Sequence, residues 1–379
     1  MRKPSELDLL FRRAVADGTF SGASLLVRAA SVGDIFFRSW GRTRKDGETV
    51  HAGTRFDLAS LTKPLVTSPL CMWAVDRAEF SLEDPISRFF SRSQVPHDKR
   101  SITVRQLLNH RSGLPAYKPF YFKLLSVEGR NDKKTLLLSL LLSAPLVHPP
   151  GKTACYSDLG YMLLGLILER TLGAPLDILA DRILFQPFGV EDLHFQPLSV
   201  STDPTVSPAI RSAGILSFAA TEICPWRNRC LQGEVHDENA YSLGGVAGHA
   251  GLFGTAHGIF LLLSRLWEIR SGRVQYPEWS AEVIDTFWTR SNDAECSTWA
   301  LGYDTPSSEN SSSGKYFSAS TIGHLGFSGT SFWLDPDKEI LIILLTNRIY
   351  PTRHNERLKA FRPLVHDFIM EALHAESLF

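Results

Sequence analysis

The chain carries no excess charge: 40 lysine and arginine residues balance 40 aspartate and glutamate residues. Without a basic surplus, nucleic acid is not an expected partner. Long apolar runs are missing too. The stretch LLLSLLLSAPLV at 136–147 is too short to cross a bilayer, which needs ~18 residues or more, and Pro145 interrupts it. The start, MRKPSELDLLFRRAV, lacks the apolar centre of a secretory leader, so a cytoplasmic location is expected. Cysteine is scarce and odd in number: Cys71, Cys155, Cys224, Cys230 and Cys296. That suits thiols in a reducing compartment, and Cys224 and Cys230, on either side of PWRNR, read as unpaired loop residues, with a local bridge or half of a metal site as the alternatives. There is no Gly-x-Ser-x-Gly, which argues against an α/β-hydrolase. There is no His-Glu-x-x-His, and neither metal nor cofactor is expected.

What is present is ordinary for a globular enzyme: 44% hydrophobic and 21% charged residues in 379. Residues 6–17 read as an amphipathic helix stopped at Gly18, and GASLLVRAA with DIFFRSWG as a hairpin. From Phe56 to about Val200 helices are expected over 61–79, 103–110, 133–143, 157–172 and 175–185, with proline and glycine at the joints. Residues 200–255 look irregular, 256–270 helical, and 291–319 a loop. Two strands meeting at DPDK and a helix over 355–375 close the chain. The expected fold is α+β: an antiparallel sheet flanked by the terminal helices, with a mostly helical second lobe. One domain, 1–379, would comprise a sheet lobe (about 1–55 and 315–379) and a helical and loop lobe (about 56–314).

Three short stretches carry candidate chemistry. In FDLASLTKP (56–64), Ser60 and Lys63 are one helical turn apart and share a face. The same spacing recurs at Ser312 and Lys315 inside SSENSSSGKYF, so spacing alone is a weak signal. PPGKTACYSDLGYMLLG (149–165) brings Tyr156 and Asp158 to a helix start. Its GKT is no phosphate loop, because the required first glycine position is Leu146 and the two prolines offer no N–H groups. GHLGFSGTSFW (323–333) places His324 before glycines that mark close approach of another backbone or a ligand.

Taken together, SLTK, YSD and HLG resemble, in chain order, the Ser-x-x-Lys, Tyr-x-Asn and Lys/His-x-Gly signatures of the penicillin-recognising serine hydrolases. That superfamily holds class C β-lactamases, DD-peptidases and related esterases. FSLEDPISRF and TVRQLLNHRSGLP are similar to the family's wording as well, and the likeness runs from about residue 20 to 347. The resemblance implies a serine hydrolase forming an acyl-enzyme on Ser60, with Lys63 and Tyr156 handling the proton and the N–H groups of Ser60 and Phe327 forming the oxyanion hole. Asp158, His324, Leu325 and Gly326 would contact substrate, with His236 and His249 in the wall GEVHDENAYSLGGVAGHAGLFGTA (233–256).

Two departures shape the expectation. Asp158 stands where asparagine is usual, which should keep Lys63 charged and favour a Tyr156 phenolate as base. Leu325 stands where β-lactamases carry threonine, and His324 replaces a fixed positive charge, which weakens recognition of a substrate carboxylate. The expected activity is therefore on small-molecule esters or amides, uncharged esters before penicillins. The alternatives are a true β-lactamase or D-alanyl-D-alanine carboxypeptidase, and a silent binding protein on the same scaffold. No membrane partner is expected. Pro69 should kink the helix that follows Ser60.

Overall fold

A computed structural model describes residues 4–29, 35–198, 217–290 and 297–376. Its main sheet contains β1 (Gly22–Ala29), β2 (Ile35–Gly41), β8 (Ile322–Leu325), β9 (Ser331–Asp335) and β10 (Ile340–Thr346), all antiparallel in the order β2-β1-β10-β9-β8. The first hairpin and the last strands thus join across almost the whole chain, Ala23 facing Thr346 and Ala29 facing Ile340.

Strand β10 is buried along its whole length, and the two-residue period of a strand explains how. Ile340, Ile342 and Leu344 face a core shared with α1 (Pro4–Ala16) and the last helix. Leu341, Ile343 and Leu345 face the larger core, which includes Ile259, Leu262, Leu263 and Leu266 from the helix over 256–270. A strand covered on both faces reads as an unbroken apolar run rather than an alternation, and ILIILLT is one. Each such side chain contributes roughly 1.5–3 kcal/mol on burial. On the outer layer Phe11 of α1 stacks on Trp40 with centroids 3.9 Å apart, while the Trp40 indole donates to Asp8 Oδ1 at 2.8 Å.

Between these strands lie α2 (Ser68–Asp76), α3 (Val104–Leu108), α4 (Arg130–Ser143), α5 (Asp158–Leu172), α6 (Ala256–Arg270) and α7 (Ala281–Trp288), and α8 (Leu358–Glu376) closes the chain. The stretch expected as one helix over 61–79 is three pieces: a 3₁₀ turn at Ala59–Leu61, a π-turn at Lys63–Thr67, then α2. Pro69 cannot donate to the preceding turn, and the Pro64 carbonyl accepts from the Tyr303 hydroxyl at 2.9 Å instead. The expected kink takes the form of this wider turn. The helix expected over 103–110 stops at Leu108, opened by a Thr103–Gln106 capping box. The second expected lobe is less helical than the sequence suggested. Beyond 216 it contains β5 (Ala220–Cys224) and β6 (Arg229–Gln232) as a hairpin, and β7 (Leu252–Gly254), which lies between β3 (Phe56–Asp57) and β4 (Leu193–Phe195). Residues 199–216 and 291–296, with Cys296, lie outside the described residues. Cys71, Cys155, Cys224 and Cys230 are free thiols. Among the described residues, no helix is long and apolar enough to cross a membrane.

Candidate active site

The turn that carries Ser60 is fixed by backbone contacts before any candidate side chain is placed. Asp57, at the end of β3, is enclosed by protein; its Oδ1 accepts the Ala59 N–H at 2.8 Å and its Oδ2 the His236 N–H at 2.7 Å. Burial pushes this carboxyl above its ordinary range, against the pull of those two N–H groups. Ala59 has φ +48°, a left-handed conformation that costs an alanine energy and persists only where its surroundings hold it. Ser60 follows on the 3₁₀ turn, so it is not at the N-terminus of a regular helix, as the sequence suggested. Its N–H is free of protein acceptors among the described residues.

The end of β8 is bolted to the same turn. Ser328 Oγ donates to the Asp57 carbonyl at 2.6 Å, and Thr330 Oγ1 to the Leu58 carbonyl at 3.2 Å. A Cβ on Gly326 would meet Thr330 Oγ1 and lie 2.7 Å from the Leu58 carbonyl. The glycine is therefore required by close approach of two backbones. This brings the Phe327 N–H, which also has no protein acceptor, to the nucleophile turn. Gly326→Ala is expected to cost about 1–3 kcal/mol, the usual penalty of overpacking, and about 10² in kcat if the turn moves by an ångström. A thermal melt and an ester assay read the two effects; a variant with unchanged melting and rate would refute the close-approach account.

Lys63 leads from the π-turn directly beneath Ser60 and is fully buried. Its Nζ donates to Ser60 Oγ at 3.0 Å, to Asp158 Oδ1 at 2.7 Å and to the His249 carbonyl at 3.2 Å. An ammonium with these acceptors is a donor only, so no lone pair points at the serine. Burial disfavours the ammonium, but Asp158 and Tyr156 outweigh it and hold the pKa above the ordinary lysine value. Asp158 opens α5, yet the cap is Ser157, whose side chain accepts the Gly160 N–H at 3.2 Å. The Asp158 carboxylate is thereby left for Lys63.

Tyr156 is also enclosed, with Lys63 Nζ 4.8 Å from its ring centroid. Burial raises its phenol above the ordinary value, despite the lowering pull of Lys63. The resting tyrosine is a phenol. This corrects the expectation of a resting phenolate: Asp158 does keep Lys63 charged, but its own charge and the dry surroundings disfavour a second anion. His324 donates Nδ1–H to the Leu325 carbonyl at 2.8 Å, leaving a bare Nε2. Burial, then Lys63, pull its pKa down to about 3, so the ring is neutral. His110 and Trp299 complete an aromatic box, with ring centroids 4.6 and 5.5 Å from Tyr156.

Ser60, Tyr156, Asp158, His236, His249, His324, Leu325, Gly326 and Phe327 all line one cavity of about 630 Å³, with Lys63 just beneath. His236 and His249 belong to a charge network in its wall. His249 Nε2 is 2.9 Å from Asp237 Oδ1, and His236 Nε2 is 3.0 Å from Glu222 Oε2. Burial opposes both carboxylates, but His249 holds Asp237, and His236 with Arg353 holds Glu222, well below the usual range. The other Ser-x-x-Lys pair is elsewhere: Lys315 is exposed beside Glu371. A larger groove of about 930 Å³, lined by Arg42, Arg44, Lys45 and Tyr350 among others, contains none of the expected residues. Among the described residues, no cluster of three or more His, Cys, Asp or Glu side chains could hold a metal ion.

Several lining residues escaped the sequence reading. Asp304, pushed up to about 6 by burial, and Trp299 come from the segment read as loop. Arg348 lies two residues past the end of β10, and Arg353 and Arg362 come from the closing segment. Asp57 and His110 sat inside quoted phrases, but a carboxylate that accepts two backbone N–H groups has no sequence signature.

Comparison with known proteins gives a consistent placement. The model of the Beta-lactamase family matches residues 7–366. The N-acetylmuramyl-L-alanine amidase of Bacillus subtilis (strain 168) is 31% identical over 366 residues, spanning 92% of this chain and 81% of the amidase. An Escherichia coli (strain K12) protein named "Putative D-alanyl-D-alanine carboxypeptidase" is 30% identical over 330 residues, spanning 83% and 75%. Among solved structures, the octameric penicillin-binding protein homologue from Pyrococcus abyssi superposes with TM-score 0.71 at 17% identity, covering 97% of this chain and 78% of its own. EstCE1, a hydrolase with promiscuous acyltransferase activity, gives 0.68 at 19%, covering 94% and 97%. With its fold, its motif order and about 30% identity over most of its relatives' length in agreement, the chain belongs to the Beta-lactamase family.

Proposed function

We propose that the protein is a serine acyl hydrolase that cleaves small amides or esters through an acyl-enzyme on Ser60. The observation that carries this reading is the buried Lys63, bridging Ser60 Oγ and Asp158 at 3.0 and 2.7 Å at the foot of an open cavity. A fully buried ammonium is costly unless it is paired, and a lysine held there only for stability would have no reason to touch a cavity-lining hydroxyl. Once the Tyr156–Lys63 pair has released one proton to water, Ser60 Oγ attacks the substrate carbonyl; the serine proton passes to the pair and then to the leaving nitrogen or oxygen. The N–H groups of Ser60 and Phe327 receive the developing oxyanion. Water repeats the sequence on the acyl-enzyme. The names of the Bacillus subtilis and Escherichia coli relatives favour an amide as the natural bond, and EstCE1 is a precedent for acyl transfer on this fold.

The test is covalent labelling. A fluorophosphonate probe, followed by peptide mass spectrometry, should place one adduct on the peptide carrying Ser60 and none in Ser60→Ala. An adduct on Ser312 or Ser328 would overturn the assignment, and an unlabelled, inactive wild-type protein would favour the silent binding scaffold.

A further inference from the structure

Two residues past α3, His110 has φ +59°, a left-handed conformation that few residues with a Cβ adopt and that costs energy. Its carbonyl and its ring both turn to the stretch before α5. The carbonyl accepts the Cys155 N–H at 2.8 Å, and Nδ1 accepts the Ser157 N–H at 3.1 Å. One residue therefore holds the backbone on either side of Tyr156. The His110 ring centroid lies 4.6 Å from that of Tyr156, with Tyr161 at 5.2 Å and Trp299 edge-on at 4.5 Å. An Nδ1 that accepts an N–H carries no proton, so the ring proton is on Nε2. That nitrogen is sealed and has no acceptor among the described residues. Burial first, then Lys63 and His324, pull the His110 pKa well below its ordinary value, so the ring is neutral.

A left-handed backbone and an unpaired buried donor are two separate costs at one residue. Packing explains neither, because an apolar side chain would fill the same space without sealing in an N–H. Both costs accompany one result, the fixing of residues 155–157. We infer that His110 is a positioning residue for Tyr156: it clamps the backbone on both flanks and packs a neutral ring against the phenol, so that the hydroxyl is aimed at Ser60. His110 does not touch substrate, for it is 1% exposed and lies outside the cavity lining that Tyr156 belongs to. The reading rests on the proposed hydrolase, in which Tyr156 handles the serine proton. Neutrality is part of the device. An imidazolium would give up the Ser157 N–H and set a second cation against Lys63.

Turnover of p-nitrophenyl acetate, a double-mutant cycle and amide exchange test the clamp. His110→Leu should lower kcat about 10²-fold, the effect of an ångström's misplacement, and leave KM almost unchanged, because the cavity lining is intact. His110→Asn keeps an acceptor near the Nδ1 position and tolerates a positive φ, so it should recover much of that loss. His110→Gln carries its amide one atom too far and gives the second reading should His110→Leu fail to fold. In a Tyr156→Phe background His110→Leu should cost no more than about threefold further, since a residue acting through the phenol has nothing left to align. Exchange of the 155–157 amides in the Ser60→Ala protein reads the clamp without turnover: His110→Leu should speed it, and His110→Asn should speed it less. Turnover that survives Ser60→Ala would remove the proposed function and leave the exchange result to decide the clamp. Equal kcat losses with and without the Tyr156 hydroxyl would make His110 a fold residue only. That outcome, full activity in His110→Leu, or unchanged exchange would each overturn the positioning role.

Discussion

Lys63→Met is expected to lower kcat by about 10²–10⁴, the range for a positioned proton-handling group, and to destabilise the fold. Breaking a buried ion pair from one side costs about 3–5 kcal/mol. Asp158 keeps 19% of its side-chain exposure and can take up water once the lysine is gone, so the lower end of that range applies. The pH dependence separates this pair from general packing. Lys63 has a folded pKa raised above its ordinary value, so its contribution is complete below the unfolded value of about 10.4. It is lost only as the pH rises through the higher folded value. Denaturation of both proteins from pH 6 to 11 should show a constant stability gap up to about pH 10 and a narrowing beyond it. A gap that closes already near neutrality would mean that Lys63 is not held as an ammonium by Asp158.

The second large effect concerns the base. Tyr156 rests as a phenol and Lys63 as an ammonium, both with raised pKa values. The pair must release one proton before it can accept that of Ser60, and its titration belongs to the pair rather than to either group. The specificity constant for a neutral ester is therefore expected to climb with pH from 6 to 9, approaching tenfold per unit, before levelling in the alkaline range. Asp158 raises both groups, so Asp158→Asn should move the rising limb to lower pH. Tyr156→Phe should cost about 10²–10⁴ in kcat and abolish the limb if the phenol is the acceptor. A wild-type profile already flat at pH 7 would contradict this assignment, as would an Asp158→Asn limb displaced to higher pH. His324, neutral down to about pH 3, supplies no competing titration in this window.

Much of this site was legible from three short phrases, because the chemistry resides in residues close together in sequence. Ser60 with Lys63, Tyr156 with Asp158, and His324 with Gly326 each sit on one turn or strand. The errors have local causes. Two prolines five residues apart made a π-turn where apolar periodicity suggested one helix. The wall over 217–255 looked irregular because β5, β6 and β7 are three to five residues long, too short for alternation to show.

The sequence by itself determined the sheet and named the candidate reacting groups. Unbroken apolar runs such as ILIILLT must be buried on both faces, and a serine–lysine–tyrosine set in family order points to acyl transfer. Protonation states were decided only by the tertiary structure. They depend on the water excluded around Tyr156 and on the acceptors that converge on Lys63 from residues 60, 158 and 249. The charge of the cavity was decided in the same way. Arginines 348, 353 and 362 look alike in the sequence, and only their neighbours in space show that Glu222 and Glu238 hold Arg353 while Arg348 donates to the Asn355 carbonyl.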